Sequence, residues 1–394
     1  MASTIPPDAP AGGSAGPGGA NLPVAPALPG LGAGAAAPGA ATALYNQLDS
    51  ARRWQGRLLD ALGFAPQETP SHVLLANALF TLKAYHEPNT DGPDLLLVPA
   101  PIKRAYLWDL APEVSVVRTC LQRGARVHLL QWEAPEDDQQ EVGIAGYADH
   151  AIGLCLDAMQ AAGGRRPVVM FGHSLGGTLA AIFAALHSDR LQALVLLGAP
   201  LHFGPDAGVF TPALSSAPAA EEMTAGLGNP PGSFLTAASV LAAPQTFVAD
   251  RLADLWNSVG SAEALRTHFL VERWTLDEMP IPRQLFDEVL DLLYREDCLT
   301  EGTLLVAGQP VTPAQLTVPL LNVIEEKSRI VPPGAVLPFH ERCGSRDRQV
   351  FWYGGDVGVG LQHVGMLVGR SAHDQLWPEI LEWSFAHAGA RQTH

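Results

Sequence analysis

Pro167-Val168-Val169-Met170-Phe171-Gly172-His173-Ser174-Leu175-Gly176-Gly177 is the stretch on which the fold of this chain turns. A β-branched apolar run enters Gly-x-Ser-x-Gly and leaves through Thr178-Leu179-Ala180-Ala181-Ile182-Phe183-Ala184-Ala185-Leu186-His187, which has the character of a buried helix. Strand, Gly-x-Ser-x-Gly and helix in that order form a nucleophile elbow, with the serine on a sharp turn between two buried elements. Glycine is needed on both sides, because a Cβ there would meet the neighbouring strand or helix. The turn exposes the Ser174 hydroxyl and aims the helix N-terminus at the reacting centre. The backbone N–H of Leu175 is thereby one oxyanion-hole donor, and Ala100, just past an earlier strand, is the candidate for the second.

Outward from the elbow, strands and helices alternate. Asp94-Leu95-Leu96-Leu97-Val98-Pro99 is continuously apolar after its first residue, as a buried parallel strand is. A helix is expected at about Leu107 to Arg123, stopped by Gly124, followed by a strand Arg126 to Trp132. A second helix is expected at about Ile144 to Ala161, then the elbow strand and helix, then a strand Ala193 to Leu197. Two more strands, Leu316 to Ile324 and Arg348 to Tyr353, and a helix at about Ala372 to Ala386 close the pattern. Such alternation specifies a largely parallel, doubly wound sheet. With the elbow, it reads as an α/β class chain of α/β-hydrolase fold.

The expected division is an Ala/Gly/Pro-rich disordered arm at 1–41, an N-terminal helical segment with a leading strand at 42–90, and the first core part at 91–203. A lid insertion follows at 204–312, where the alternation breaks, and the second core part occupies 313–394. The arm has no Lys or Arg and no unbroken apolar segment, so it does not read as a secretory signal. A net charge of −16 without any basic cluster opposes a nucleic-acid role. No apolar run reaches the length of a membrane span. Cys120, Cys155, Cys298 and Cys343 are scattered, with no metal spacing, and read as buried thiols of a cytoplasmic protein. No metal and no cofactor is implied.

In this fold a nucleophile is followed by an acid and then by a histidine. His363, in Gly360-Leu361-Gln362-His363-Val364-Gly365 after the last strand, is placed to act as general base to Ser174. An unperturbed imidazole would titrate near ~6.5, so activity would fall as pH drops through that value. His340, His373, His387 and His394 lack both the position and the glycine context. The acid is expected on the turn Glu325-Glu326-Lys327-Ser328-Arg329-Ile330, where the carboxylates come early and a serine stands in the acid's place. Glu326 is the first candidate for the acid, with Glu325, Asp356 or a simple Ser-His dyad as alternatives.

The chain resembles the polyhydroxyalkanoate synthases from about Asp94 to its last helix. The resemblance is carried by Val98-Pro99-Ala100, Trp108-Asp109-Leu110 with Pro112 and Ser115, Gly146-Tyr147, Gly176-Gly177-Thr178 and Pro200-Leu201-His202-Phe203. Its most specific part runs from Trp274 with Asp277, Met279 and Pro280 to Tyr294-Arg295-Glu296-Asp297-Cys298-Leu299. It continues through Gly308-Gln309-Pro310-Val311, Val318-Pro319, Ile330-Val331-Pro332 and His363.

Those synthases use Cys, His and Asp to pass hydroxyacyl groups from coenzyme A thioesters to a growing polyester. By position the resemblance implies Ser174 for the Cys, His363 for the His and Ser328 for the Asp. Serine needs its base at the moment of attack and forms a less activated acyl ester than a thiolate does. Three functions follow: a synthase-like acyl transferase, a serine hydrolase or depolymerase, or a catalytically weak relative that binds granules or a synthase. The resemblance implies a hydroxyacyl-coenzyme A or polyester substrate, and a second copy or a synthase subunit as protein partner. It also implies a granule-associated location within the cytoplasm.

Overall fold

The computed structural model describes residues 40–86 and 90–389. The arm expected at 1–41 falls almost wholly outside the described residues. Eight strands of the described residues form one sheet. They are β1 (His72–Ala76), β2 (Phe80–Ala84), β3 (Asp94–Val98), β4 (Arg126–Trp132), β5 (Val168–His173), β6 (Ala193–Leu197), β7 (Leu320–Glu325) and β8 (Arg348–Tyr353). Their order across the sheet is β1-β2-β4-β3-β5-β6-β7-β8. The β1-β2 and β2-β4 pairs are antiparallel, and every other pair is parallel.

The apolar runs that marked the strands supply both faces of the sheet. Along β3, Leu96 and Val98 enter one core while Leu95 and Leu97 enter the other. In β6, Leu194 and Leu196 face the first core, and Ala193, Val195 and Leu197 the second. This two-residue period is the strand's own geometry, and continuous apolar character follows from burying both sides. The elbow helix α1 (Leu175–Leu186) covers the first face, with Leu179 and Ile182 in that core. The C-terminal helix α2 (Trp377–Gly389) covers the second.

The parallel pairing aligns the strand ends. Val98 pairs with Gly172, His173 with Leu197, Leu197 with Val323 and Glu325 with Tyr353. The turns carrying Ala100, Ser174, Gly198 and Ser328, and the loop that leads to His363, therefore leave the sheet from one edge. In open α/β sheets the carboxyl edge is where ligands bind.

Two expectations are corrected. The helix expected from Leu107 to Arg123 is reduced to Val116–Gln122, preceded by a 3₁₀ turn (Ala105–Trp108) and a short hairpin of Asp109–Ala111 with Val114–Ser115. Pro112 bars a continuous helix. Asp109 accepts from the Ser115 hydroxyl at 2.5 Å, and Ser115 accepts from Arg118 N at 2.9 Å as the N-cap. The single leading strand is a hairpin, β1-β2. Asn77 turns it, its Oδ1 accepting from Leu79 N at 2.8 Å and Phe80 N at 2.9 Å. That Asx turn was the available signal.

All four cysteines are buried and free. Among the described residues no single helix is long and apolar enough to cross a membrane.

Trp377 ties the second core together. It is fully buried, stacks on Phe171 at 6.0 Å between ring centroids, and donates its Nε1 to Met366 O at 2.8 Å. Trp377→Ala should lower unfolding free energy by about 3–5 kcal/mol, the usual cost of emptying such a site. Urea titration followed by circular dichroism checks it, and a loss below ~1 kcal/mol would contradict the packing.

Candidate active site

Ser174 follows β5 directly with φ 55° and ψ −135°, a conformation that L residues rarely adopt. Three hydrogen bonds hold it there. Its N–H donates to Leu197 O at the end of β6 at 3.1 Å, and its carbonyl accepts from Gly177 N at 2.8 Å and Thr178 N at 3.2 Å. The surrounding glycines follow from close approach. A Cβ on Gly172 would lie 2.5 Å from Gly177 Cα, one on Gly176 2.4 Å from the Pro99 carbonyl, and one on Gly177 2.4 Å from Ala199 Cβ. The elbow helix is thus pressed against the ends of β3 and β6, and the hydroxyl stands clear of the sheet.

Trp132 Nε1 donates to Pro99 O at 2.8 Å. In a trans peptide the next N–H points the opposite way, so the Ala100 N–H is turned from Trp132. Leu175 stands at the first helical position beside Ser174, where the N–H has no partner within its own helix. Pro99, Ala100, His173, Ser174 and His363 line one cavity of about 240 Å³, whose other walls include Trp108, Phe210, Phe247 and Trp274.

His363 is buried in the wall of that cavity, and its Nε2 has no hydrogen-bond partner. A Cβ on Gly198 (φ 50°) would come within 3.4 Å of His363 Nδ1, so glycine leaves the ring its room. His173 Nε2 donates to the His363 carbonyl at 3.1 Å, with the two rings 4.8 Å apart. Burial holds the His363 imidazole well below its ordinary range, and His173 adds to the effect. Burial also lowers His173 to about 4. The pH dependence expected for an unperturbed imidazole therefore does not apply. Burial thus favours the neutral imidazole, and its Nε2 has no hydrogen-bond partner.

The acid turn is placed by strand parity. Leu321 and Val323 face the second core, which also holds Val364 and Met366 beside His363. Glu325, two residues on, shares that face. It is buried, and burial pushes its carboxyl upward while the Ser328 hydroxyl opposes the shift. Ser328 is also buried, its Oγ accepting from Val331 N at 3.1 Å.

Glu325, Ser328 and His363 line a second cavity, open and about 910 Å³ in volume. His363, Ile330 and Leu361 are common to both cavities. Glu326 is different. The strand runs one residue further than the sequence suggests, so Glu326 opens the turn. Its side chain is exposed, and its N–H donates to Tyr353 O at 3.1 Å. Asp356 is occupied elsewhere, accepting from the Tyr353 hydroxyl at 2.7 Å and from Ser371 N and Oγ at 3.1 and 2.6 Å. Ser174 and His363 are thus brought together at one cavity, and His363, Glu325 and Ser328 at the other. Glu326 joins neither.

Sequence reasoning missed Trp132 and His173, although His173 is the first of the two variable positions of the elbow itself. It also missed Lys103, which lines the Ser174 cavity 5.2 Å from the centre of the Trp274 ring and 3.4 Å from Glu278. Arg52 reaches the same carboxylate at 3.4 Å. Among the described residues no cluster of three or more His, Cys, Asp or Glu is placed to hold a metal ion.

The family model for the alpha/beta hydrolase fold matches residues 108–354. Distant relatives extend over most of the chain. The poly(3-hydroxyalkanoate) polymerase subunit PhaC of Haloferax mediterranei is 27% identical over 328 residues, covering 80% of this chain and 64% of the relative. The chain thus spans somewhat under two thirds of that subunit. The corresponding subunit of Allochromatium vinosum is 22% identical, covering 83% of this chain and 91% of its own. A solved soluble variant of monoglyceride lipase from Saccharomyces cerevisiae shares the fold at a TM-score of 0.52. It is 12% identical, with 82% and 95% of the two chains covered.

A base at His363 must be unprotonated to act, and burial favours its neutral form. The acid limb of kcat/KM should therefore lie below pH 6.5. A pH–rate profile on a nitrophenyl ester checks this, and an acid limb at or above 6.5 would contradict the buried placement.

Proposed function

The chain belongs to the α/β-hydrolase fold family, and we propose that it is a synthase-like acyl transferase acting on hydroxyacyl thioesters through an acyl-Ser174 intermediate. The observation that carries this reading is the pairing, at one largely apolar cavity, of the elbow serine with a buried histidine whose Nε2 is unpartnered. The distant kinship to polymerase subunits supplies the substrate class.

Ser174 Oγ attacks the thioester carbonyl while His363 Nε2 takes its proton. The backbone N–H groups of Leu175 and Ala100 stabilise the oxyanion. Collapse breaks the C–S bond, and His363 returns the proton to the departing thiolate. An acceptor hydroxyl then gives its proton to His363, attacks the acyl-Ser174 ester, and releases Ser174 with that proton. Glu325, the last residue of β7, is the carboxylate proposed to support the imidazole. Its burial and the cavity wall it shares with His363 favour it.

Hydrolysis is the second reading. The larger, open cavity that His363 also lines is a source of water beside the base, and an oxyester is a natural substrate for such a reaction.

Incubation with 3-hydroxybutyryl-coenzyme A, following thiol, free acid and polymer together, separates the readings. Thiol release with polymer supports transfer, thiol with free acid supports hydrolysis, and no release of thiol rejects both. A fluorophosphonate should label Ser174 and not Ser174→Ala, and equal labelling would remove the nucleophile.

Glu325→Gln should slow thiol release by more than ~10-fold, and Glu326→Gln by less than ~3-fold. The reverse order would restore Glu326 as the supporting acid.

A further inference from the structure

The loop from β8 to His363 is held by a carboxylate outside the sheet. Asp254 lies on the helix Asp250–Ser258, within the helical segment between β6 and β7. Its Oδ1 accepts from Gly358 N and its Oδ2 from Gly360 N, each at 2.8 Å. His268, on the next helix (Ala262–Thr275), completes the arrangement with Nδ1 2.7 Å from Oδ2. Asp254 and His268 are both buried.

The loop fits this seat only with glycine. Gly358 and Gly360 have φ of 85° and 65°. A Cβ on Gly358 would lie 2.5 Å from Ala264 O, and one on Gly360 3.1 Å from a Val271 methyl. One carboxylate therefore grips two backbone N–H groups two residues apart, the second only three residues before His363.

We propose that Asp254 is a positioning residue for His363, so that the seat of the histidine depends on the helical segment between β6 and β7. The proposal rests on the reading of His363 as the base. A triad acid both orients its histidine and supports the charge that forms on it. With Ser328 at the expected acid position, orientation comes here in part from Asp254 acting through the backbone. Asp254 touches no reacting atom in this scheme. It fixes where the loop ends, while His173 holds the His363 carbonyl from the sheet side. Two grips from different elements define the position of the ring.

Asp254→Asn keeps the side-chain shape and one acceptor oxygen but removes the second acceptor. Fluorophosphonate labelling of Ser174 should slow by ~10-fold or more, with KM for p-nitrophenyl butyrate within about 2-fold of wild type. Hydrogen exchange should accelerate in residues 356–363 and stay unchanged in the elbow helix. Wild-type labelling in Asp254→Asn, or unchanged loop exchange, overturns the proposal.

The wild-type protein supplies a test that does not depend on a variant folding. The amides of Gly358 and Gly360 should be more protected than those of Gly355 and Val357, and exchange at the rate of those two amides overturns the grip. His363→Ala is the control for the underlying reading. If it labels as fast as wild type, the base assignment fails, whereas slow labelling in His363→Ala with fast labelling in Asp254→Asn rejects the positioning role alone.

Discussion

Everything at the carboxyl edge depends on how closely the elbow helix approaches the sheet. Gly172 and Gly177 nearly touch across the turn, and Gly176 lies against the Pro99 carbonyl, at distances that exclude any side chain. This approach forces Ser174 to positive φ, a cost on the order of 1–3 kcal/mol for a residue that is not glycine. The strain persists because the ends of β3 and β6 hold the turn on both sides. The bond from Ser174 N to Leu197 O belongs to the parallel register of β5 and β6. Straightening the turn would break that pairing. The same approach seats the Pro99–Ala100 peptide beside the elbow, where Trp132 fixes its direction.

Close approach also explains what could be read from the sequence. The elbow was legible because only glycine satisfies it, and three glycines around one serine leave few alternatives. The central strands were legible because a strand buried on both faces must be apolar throughout. Both β4 and β6 have the limits their composition indicates. The helix before β4 is shorter than Gly124 as its stop suggests, because Pro112 interrupts it, and a polar contact between Asp109 and Ser115 has no periodicity to reveal it.

The acid turn was harder for a geometric reason. Adjacent carboxylates on a strand end face opposite ways, so a shift of one residue in the strand limit exchanges a buried Glu325 for an exposed Glu326. Strand limits are the least certain feature of a sequence reading. The role of Asp254 was not legible at all. It lies far from the elbow in sequence, and it acts on backbone N–H groups that any residue but proline would supply. Its one visible trace is the pair of glycines at 358 and 360, which suggests a tight loop without naming what grips it.

The position of His363 between two cavities bears on the choice between transfer and hydrolysis. A thiolate nucleophile keeps its acyl group activated, so an alcohol can compete for it quickly. An acyl-serine ester survives longer, and its fate depends on which acceptor reaches the base first. On the Ser174 side, the smaller cavity is walled largely by apolar side chains such as Trp108, Phe210 and Phe247, which would suit the acyl chain of the proposed substrate. On the other side, the larger cavity is open and lined by Glu325, Asp356 and Arg370 among other polar groups. Water is the acceptor that such a space supplies most readily. In the proposed reaction a polyester hydroxyl would compete best if its own chain covered the shared wall at His363, Ile330 and Leu361, the three residues that line both cavities. On the proposed reading, the balance between the two reactions therefore depends on what covers that shared wall as well as on the identity of the nucleophile.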